Sequence, residues 1–156
     1  MTTIVANREV MVSDSRVSSE DGSSYPAKKI FKSKDGDIII GAAGVGSDCS
    51  KLVKWALAGF KGAEPKWTAT TPADAVVGLI LRDSGLYIWN PGDSDSPDRI
   101  ESDFWSIGSG SRAARVALML GKSPIEAVEL AMQVDEVFSG PPLQILRLKE
   151  DTNGSR

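Results

Sequence analysis

The stretch Thr2-Thr3-Ile4-Val5-Ala6-Asn7-Arg8-Glu9-Val10-Met11-Val12-Ser13-Asp14 decides how the rest of the chain is read. Thr3 to Ala6 and Val10 to Val12 are β-rich, and Asn7, Arg8 and Glu9 between them predict a tight hairpin. With the turn centred near Arg8, antiparallel pairing sets residues whose numbers sum to about 16 opposite one another, so Thr2 is expected to face Asp14. Methionine before a small residue is the context in which an initiator methionine is removed. The mature chain is therefore expected to begin at Thr2, which then carries both a hydroxyl and a free amine. The amine can take the hydroxyl's proton directly or through a water, which is the threonine form of an activated nucleophile.

The 156 residues contain no histidine. That absence removes the base of Ser-His-Asp and Cys-His catalysis and the usual ligands of zinc enzymes. Two bases suited to neutral pH remain: a lysine with a lowered pKa, and an α-amino group, whose ordinary value of about 7.7 to 8.0 lies close. A 41% hydrophobic and 25% charged composition fits one globular domain over residues 1–156, with residues 150–156 expected as a flexible tail. The net charge of -3 and the absence of a basic stripe argue against nucleic acid as a partner. No apolar run approaches the roughly 20 residues of a membrane span, and no signal-peptide pattern opens the chain, so the cytoplasm is the expected compartment. The single Cys49 agrees with a reducing environment.

Further strands are predicted at Lys28 to Phe31, Asp37 to Ala43, Val76 to Leu81, Leu86 to Trp89, Phe104 to Ile107 and Leu143 to Leu148. A helix capped by Ser47 or Asp48 carries Leu52, Val53, Ala56, Leu57 and Phe60 on one face. A second helix spans Arg112 to Leu120. Ser123-Pro124-Ile125-Glu126 is a capping box that starts a third, reaching Val134. Segregated strands and helices imply an α+β domain with two sheets between helices.

Beyond the N-terminal segment, Ser13-Asp14-Ser15-Arg16, Lys28-Lys29-Ile30, Gly41-Ala42-Ala43-Gly44, Ser47-Asp48-Cys49 and Ile107-Gly108-Ser109-Gly110-Ser111 follow in order. Together with Thr2-Thr3-Ile4-Val5 they resemble the proteasome β-subunits and the bacterial heat-shock-locus peptidase HslV, which are N-terminal-nucleophile (Ntn) hydrolases. The resemblance covers nearly the whole chain. It implies a four-layer αββα sandwich and a threonine endopeptidase whose nucleophile is Thr2. It gives Lys29 the place of the lysine that keeps the α-amine unprotonated, and Asp14 that of the aspartate that orients this lysine. Gly44 takes the place of the oxyanion-binding glycine, and Ser109 that of a serine near the amine. The last element is an acid followed three residues later by a serine or threonine and then a glycine. Glu136 and Ser139 match its spacing, whereas Asp135 matches the residue type with a one-residue insertion and is preferred.

The same resemblance implies a peptide or unfolded-protein substrate, no cofactor or metal, a homo-oligomer and an ATP-driven unfoldase partner. Ala42 and Gly46 fall at primary-pocket positions. Where relatives have a second long helix, Gly62 to Pro72 is short and rich in Lys, Thr and Pro, so one outer helix is expected to be shortened or missing. Trp55, Trp67 or partner chains would then cover the exposed face. Two other readings stay open: an inactive assembly subunit on the same fold, and a narrow amidase or acylase acting on a small molecule.

Two further patterns carry little. Gly108 to Ala113 fits GxGxxA, but the helices and single strand that follow leave no room for a dinucleotide-binding βαβ unit. Asp93, Asp95 and Asp98 alternate like calcium ligands without the glycine and distal glutamate of an EF-hand, and read as a solvated acidic loop.

Overall fold

The computed structural model describes residues 2–93, 96–136 and 138–148; Met1 and its expected removal, Asp95 of the acidic loop and the expected tail from residue 150 lie outside them. The strands, in chain order, are β1 (Thr3–Asn7), β2 (Val10–Ser13), β3 (Arg16–Ser18), β4 (Ser24–Pro26), β5 (Ile30–Lys32), β6 (Ile38–Ala43), β7 (Val77–Arg82), β8 (Gly85–Trp89), β9 (Asp98–Ile100), β10 (Phe104–Gly108) and β11 (Gln144–Arg147). The helices are α1 (Gly46–Leu57), α2 (Ser111–Met119) and α3 (Pro124–Val134).

The first hairpin forms where the β-branched runs place it, but its register differs from the expected one. Ile4 pairs with Ser13, Val5 with Val12 and Ala6 with Met11, so paired numbers sum to 17 rather than 16. The cause is the turn. Asn7 Oδ1 accepts the N–H groups of both Glu9 and Val10 at 2.9 Å, which closes a two-residue loop of Arg8 and Glu9. Asp14 consequently falls beside Thr3, and its N–H donates to the Thr3 carbonyl at 3.2 Å.

One sheet has the order β10-β1-β2-β11 and the other β5-β6-β7-β8-β9, while β3 and β4 form a separate hairpin. All these ladders are antiparallel. Alternation along the strands gives each sheet two apolar faces. Ile4, Ala6, Met11 and Ile107 of the first sheet meet Ile30, Ile39, Leu79, Leu81 and Leu86 of the second. On its other face the first sheet turns Val5, Val10 and Val12 to Ala114, Leu118, Ala127 and Val128 of α2 and α3. The second sheet turns Ile40, Ala42 and Ile80 to Leu52, Val53 and Ala56 of α1. Each fully buried aliphatic side chain contributes about 1.5 to 3 kcal/mol. A Cβ added at Gly41 of β6 would come within 2.9 Å of Ile4 Cδ1, so the two sheets approach closely at that point.

Between α1 and β7 the chain contains no α-helix, only a 3₁₀ turn at Pro72–Asp74. Trp55 and Trp67 cover Trp89 of β8 here, with ring centroids 5.8 and 5.3 Å away. This agrees with a shortened outer helix. α3 begins with the expected capping box at Ser123 and Glu126. α1 does not use the expected cap: Val45 occupies that position without a side-chain bond, and Asp48 lies inside the first turn. Asp48 is buried and instead accepts from the N–H groups of Thr68 and Ala69 and from the Thr68 hydroxyl.

Candidate active site

Asp14 emerges from the end of β2 as a fully buried carboxylate, and burial of such a group requires partners. Oδ1 accepts the Thr2 hydroxyl at 2.8 Å and the Thr3 N–H at 2.9 Å. Oδ2 accepts the N–H groups of Arg16 and Gly140, both at 3.0 Å. Lys29 Nζ, arriving from the residue before β5, lies 3.0 Å from each oxygen. Thr2 therefore reaches Asp14 although the ladder pairs Thr3 with it, because the carboxylate points back along the strand end. Asp14 and its pair Lys29 join the two sheets at one point.

The Lys29 side chain is only 9% exposed. Burial disfavours its charged form, the nearby Asp14 favours it, and the net result is a pKa lowered from the ordinary 10.5.

A second group adjoins the first. Asp135 follows α3 at its C-terminal cap, and its Oδ2 accepts from Ser109 at 2.6 Å and from Ser139 at 2.7 Å. Ser139 also shares a 2.8 Å hydrogen bond with the Thr3 hydroxyl, and the Ser109 hydroxyl oxygen lies 3.3 Å from the Thr2 carbonyl oxygen. Asp135 and Ser139 thus stand four residues apart in the chain and side by side in space. Glu136 is exposed, and among the described residues its backbone carbonyl alone is engaged, by the Arg16 guanidinium.

Close backbone approach explains the glycines of the Gly108-Ser109-Gly110-Ser111 stretch. A Cβ on Gly108 would fall 2.0 Å from the Thr2 carbonyl oxygen, and one on Gly110 would fall 1.9 Å from Thr3 Oγ1. Gly110 N–H donates to that same Thr2 carbonyl at 3.3 Å. Thr3, Gly108, Gly110 and Gly140 lie within the matched motifs, and the structure adds their backbone contacts to the site. The sequence signal for Gly140 is its position directly after Ser139.

Thr2, Lys29 and Gly44 share the wall of one cleft of about 820 Å³ with Ala42, Gly46 and Cys49. Gly44 is exposed to it at the end of β6, with φ +133°, and a Cβ there would stand 2.9 Å from the backbone of Val76. Only glycine fits that conformation and that approach. α1 starts two residues later, so the positive end of its dipole lies beside the Gly44 N–H. The Cys49 thiol is pushed up to about 11 by burial and by the neighbouring Asp48, which keeps it a neutral wall of the cleft.

Among the described residues no cluster of three His, Cys, Asp or Glu could hold a metal ion. No helix of the described residues is long and apolar enough to cross a membrane.

No protein-family model and no curated protein matches the chain. Solved structures do. Eukaryotic HslV from Trypanosoma brucei superimposes with a TM-score of 0.65 at 20% identity, over 95% of this chain and 99% of that one. BPH from Thiobacillus denitrificans gives 0.62 at 19% identity, over 96% and 99%. A second BPH structure, in complex with epoxomicin, gives 0.56 at 17% identity over the same shares. Likeness at these identities establishes the fold.

Proposed function

From the Ntn-hydrolase fold that the chain shares with HslV and BPH, we propose that it is a threonine endopeptidase on a four-layer αββα sandwich with one outer helix reduced. The observation that carries the reading is the run from Thr2 Oγ1 through Asp14 to Lys29 Nζ, set in a cleft that Gly44 borders.

After Met1 is removed, the Thr2 amine accepts the Oγ proton as Oγ attacks the substrate carbonyl carbon. The charged Lys29 beside this amine disfavours its protonation and keeps it available as base. The Gly44 N–H, reinforced by the α1 N-terminus, stabilises the oxyanion. Collapse of the tetrahedral intermediate breaks the C–N bond, and the amine returns its proton to the leaving group. An ester to Thr2 remains, and water hydrolyses it by the reverse proton path. Ser109, Ser139 and Asp135 form the polar surround through which protons pass near the amine. No metal or organic cofactor is needed for these steps.

The substrate class is unfolded protein or short peptides. Ala42 and Gly46 leave the primary pocket roomy. Val116, Met119 and Val134 of α2 and α3, and Leu120 directly after α2, expose apolar side chains, which supports self-association into a homo-oligomer. An ATP-driven unfoldase is the partner that would supply unfolded chain. Intact Thr2, Asp14, Lys29 and Gly44 argue against an inactive assembly subunit. The thin layer over residues 58–76 keeps open the second reading, an amidase or acylase for a small molecule. Hydrolysis of unfolded casein and of short peptide amides separates the two: the peptidase cleaves both and Thr2→Ala neither, whereas turnover of small amides alone by an open monomer would support the amidase.

A further inference from the structure

Gln144 opens β11 opposite Ser13, and its side chain leaves the first sheet for the segment that leads into β5. Oε1 accepts the N–H of Lys29 at 2.8 Å and that of Ile30 at 3.4 Å. Nε2 donates to the Ala27 carbonyl at 2.6 Å and to Ser15 Oγ at 2.8 Å, and it lies 3.4 Å from the Asp14 carbonyl. One amide thereby touches the backbone on both sides of the Asp14–Lys29 pair.

Lys29 stands one residue before the first rung of the β5–β6 ladder, Ile30 opposite Gly41. Its N–H is taken by a side chain of the other sheet. Ser15, one residue beyond Asp14, is held in turn: its hydroxyl donates to the Pro142 carbonyl at 2.5 Å and its N–H to the Gly140 carbonyl at 2.8 Å. A primary amide is the one side-chain group that offers an acceptor to Lys29 and Ile30 and donors to Ala27 and Ser15 in a single rigid plane. A carboxylate of the same length lacks the donors, and an apolar side chain lacks both.

We propose that Gln144 is a positioning residue, which clamps the backbone of residues 27–30 to the first sheet and so sets the Lys29 ammonium against Asp14 and Thr2. The proposal rests on the peptidase reading above for its catalytic consequence, and on the hydrogen-bond geometry alone for the placement of Lys29. A group that acts only by positioning leaves ground-state substrate binding nearly unchanged and lowers the chemical rate.

The test compares wild type with Gln144→Met, which keeps length and bulk, by steady-state peptide hydrolysis across pH and by NMR titration of labelled lysine in the full chain. The expected outcome is a fall in kcat of about tenfold or more with KM within about twofold, together with a Lys29 titration that moves up toward the ordinary lysine value. A folded Gln144→Met protein with wild-type kcat and an unmoved Lys29 titration overturns the proposal. If that variant fails to fold, Gln144→Asn, which keeps the amide but withdraws it by one methylene, is held to the same two criteria. A wild-type chain that hydrolyses nothing, but whose Lys29 titration still moves with Gln144, refutes the peptidase reading while the positioning role stands.

Discussion

Lys29 bridges the Asp14 carboxylate, with its ammonium 3.0 Å from each oxygen, and the Thr2 hydroxyl donates to one of those same oxygens. Lys29→Ala removes the cation and keeps the neutral donors from Thr2, Thr3, Arg16 and Gly140 on Asp14. Turnover should fall by about three orders of magnitude or more, while circular dichroism shows a folded protein. Near-normal activity would remove the lysine from the mechanism.

The pH profile should show the same group. Burial lowers the Lys29 pKa from 10.5, so the alkaline limb of kcat/KM is expected below pH 10.5. On the proposed mechanism the acidic limb reports the Thr2 amine, and loss of the neighbouring cation in Lys29→Ala should move that limb to higher pH in any residual activity. Stability follows with a defined sign. The unfolded chain binds the Lys29 proton more tightly, so this group's contribution to stability is fully present above pH 10.5 and is lost as pH falls through the folded-state value.

Asp135 and Glu136 are adjacent in sequence and differ in their contacts: Asp135 accepts from Ser109 and Ser139, whereas the Glu136 side chain is exposed. Asp135→Ala leaves Ser109 and Ser139 without their shared acceptor and should lower kcat about 100-fold. Glu136→Ala removes a side chain that the site does not touch and should stay within about twofold. Equal losses in the two variants, measured by peptide hydrolysis, would contradict this assignment.

Asp48 anchors the segment between α1 and β7, which contains no α-helix. Burial alone would raise its pKa, but hydrogen bonds from Thr68 and Ala69 and the charge of Lys51 hold it below the ordinary 3.8. Its stabilisation is therefore present above pH 3.8 and lost as pH falls through the folded-state value. Asp48→Ala should cost roughly 2 kcal/mol, or a Tm drop of about 4 to 8 °C by calorimetry at neutral pH. Because Gly44 packs on Val76 at the end of the same segment, the variant should also lose activity.

Much of this arrangement is legible in the sequence because it depends on local pattern. β-branched runs mark β1 and β2, apolar spacing marks α1, and Ser123 to Glu126 marks the start of α3. The one-residue error in the hairpin register came from the turn, where the Asn7 side chain rather than any hydrophobic pattern selects a two-residue loop. β3, β4 and β9 escaped detection because Arg16–Ser18, Ser24–Pro26 and Asp98–Ile100 are short and largely polar, without apolar alternation. Asp48 reads as a helix cap by position, and only the fold brings Thr68 and Ala69 to it. Gln144 carries no local signal at all: its five partners come from two distant stretches of chain, residues 14–15 and residues 27–30.

The most direct measurement is the intact mass of the purified protein before and after incubation with epoxomicin, followed by peptide mapping of the adduct. The expected result is a chain that begins at Thr2, gains the mass of one inhibitor per subunit and carries it on Thr2, with no gain in Thr2→Ala. Retained Met1, or a free Thr2 amine that forms no adduct, would contradict Thr2 as the nucleophile.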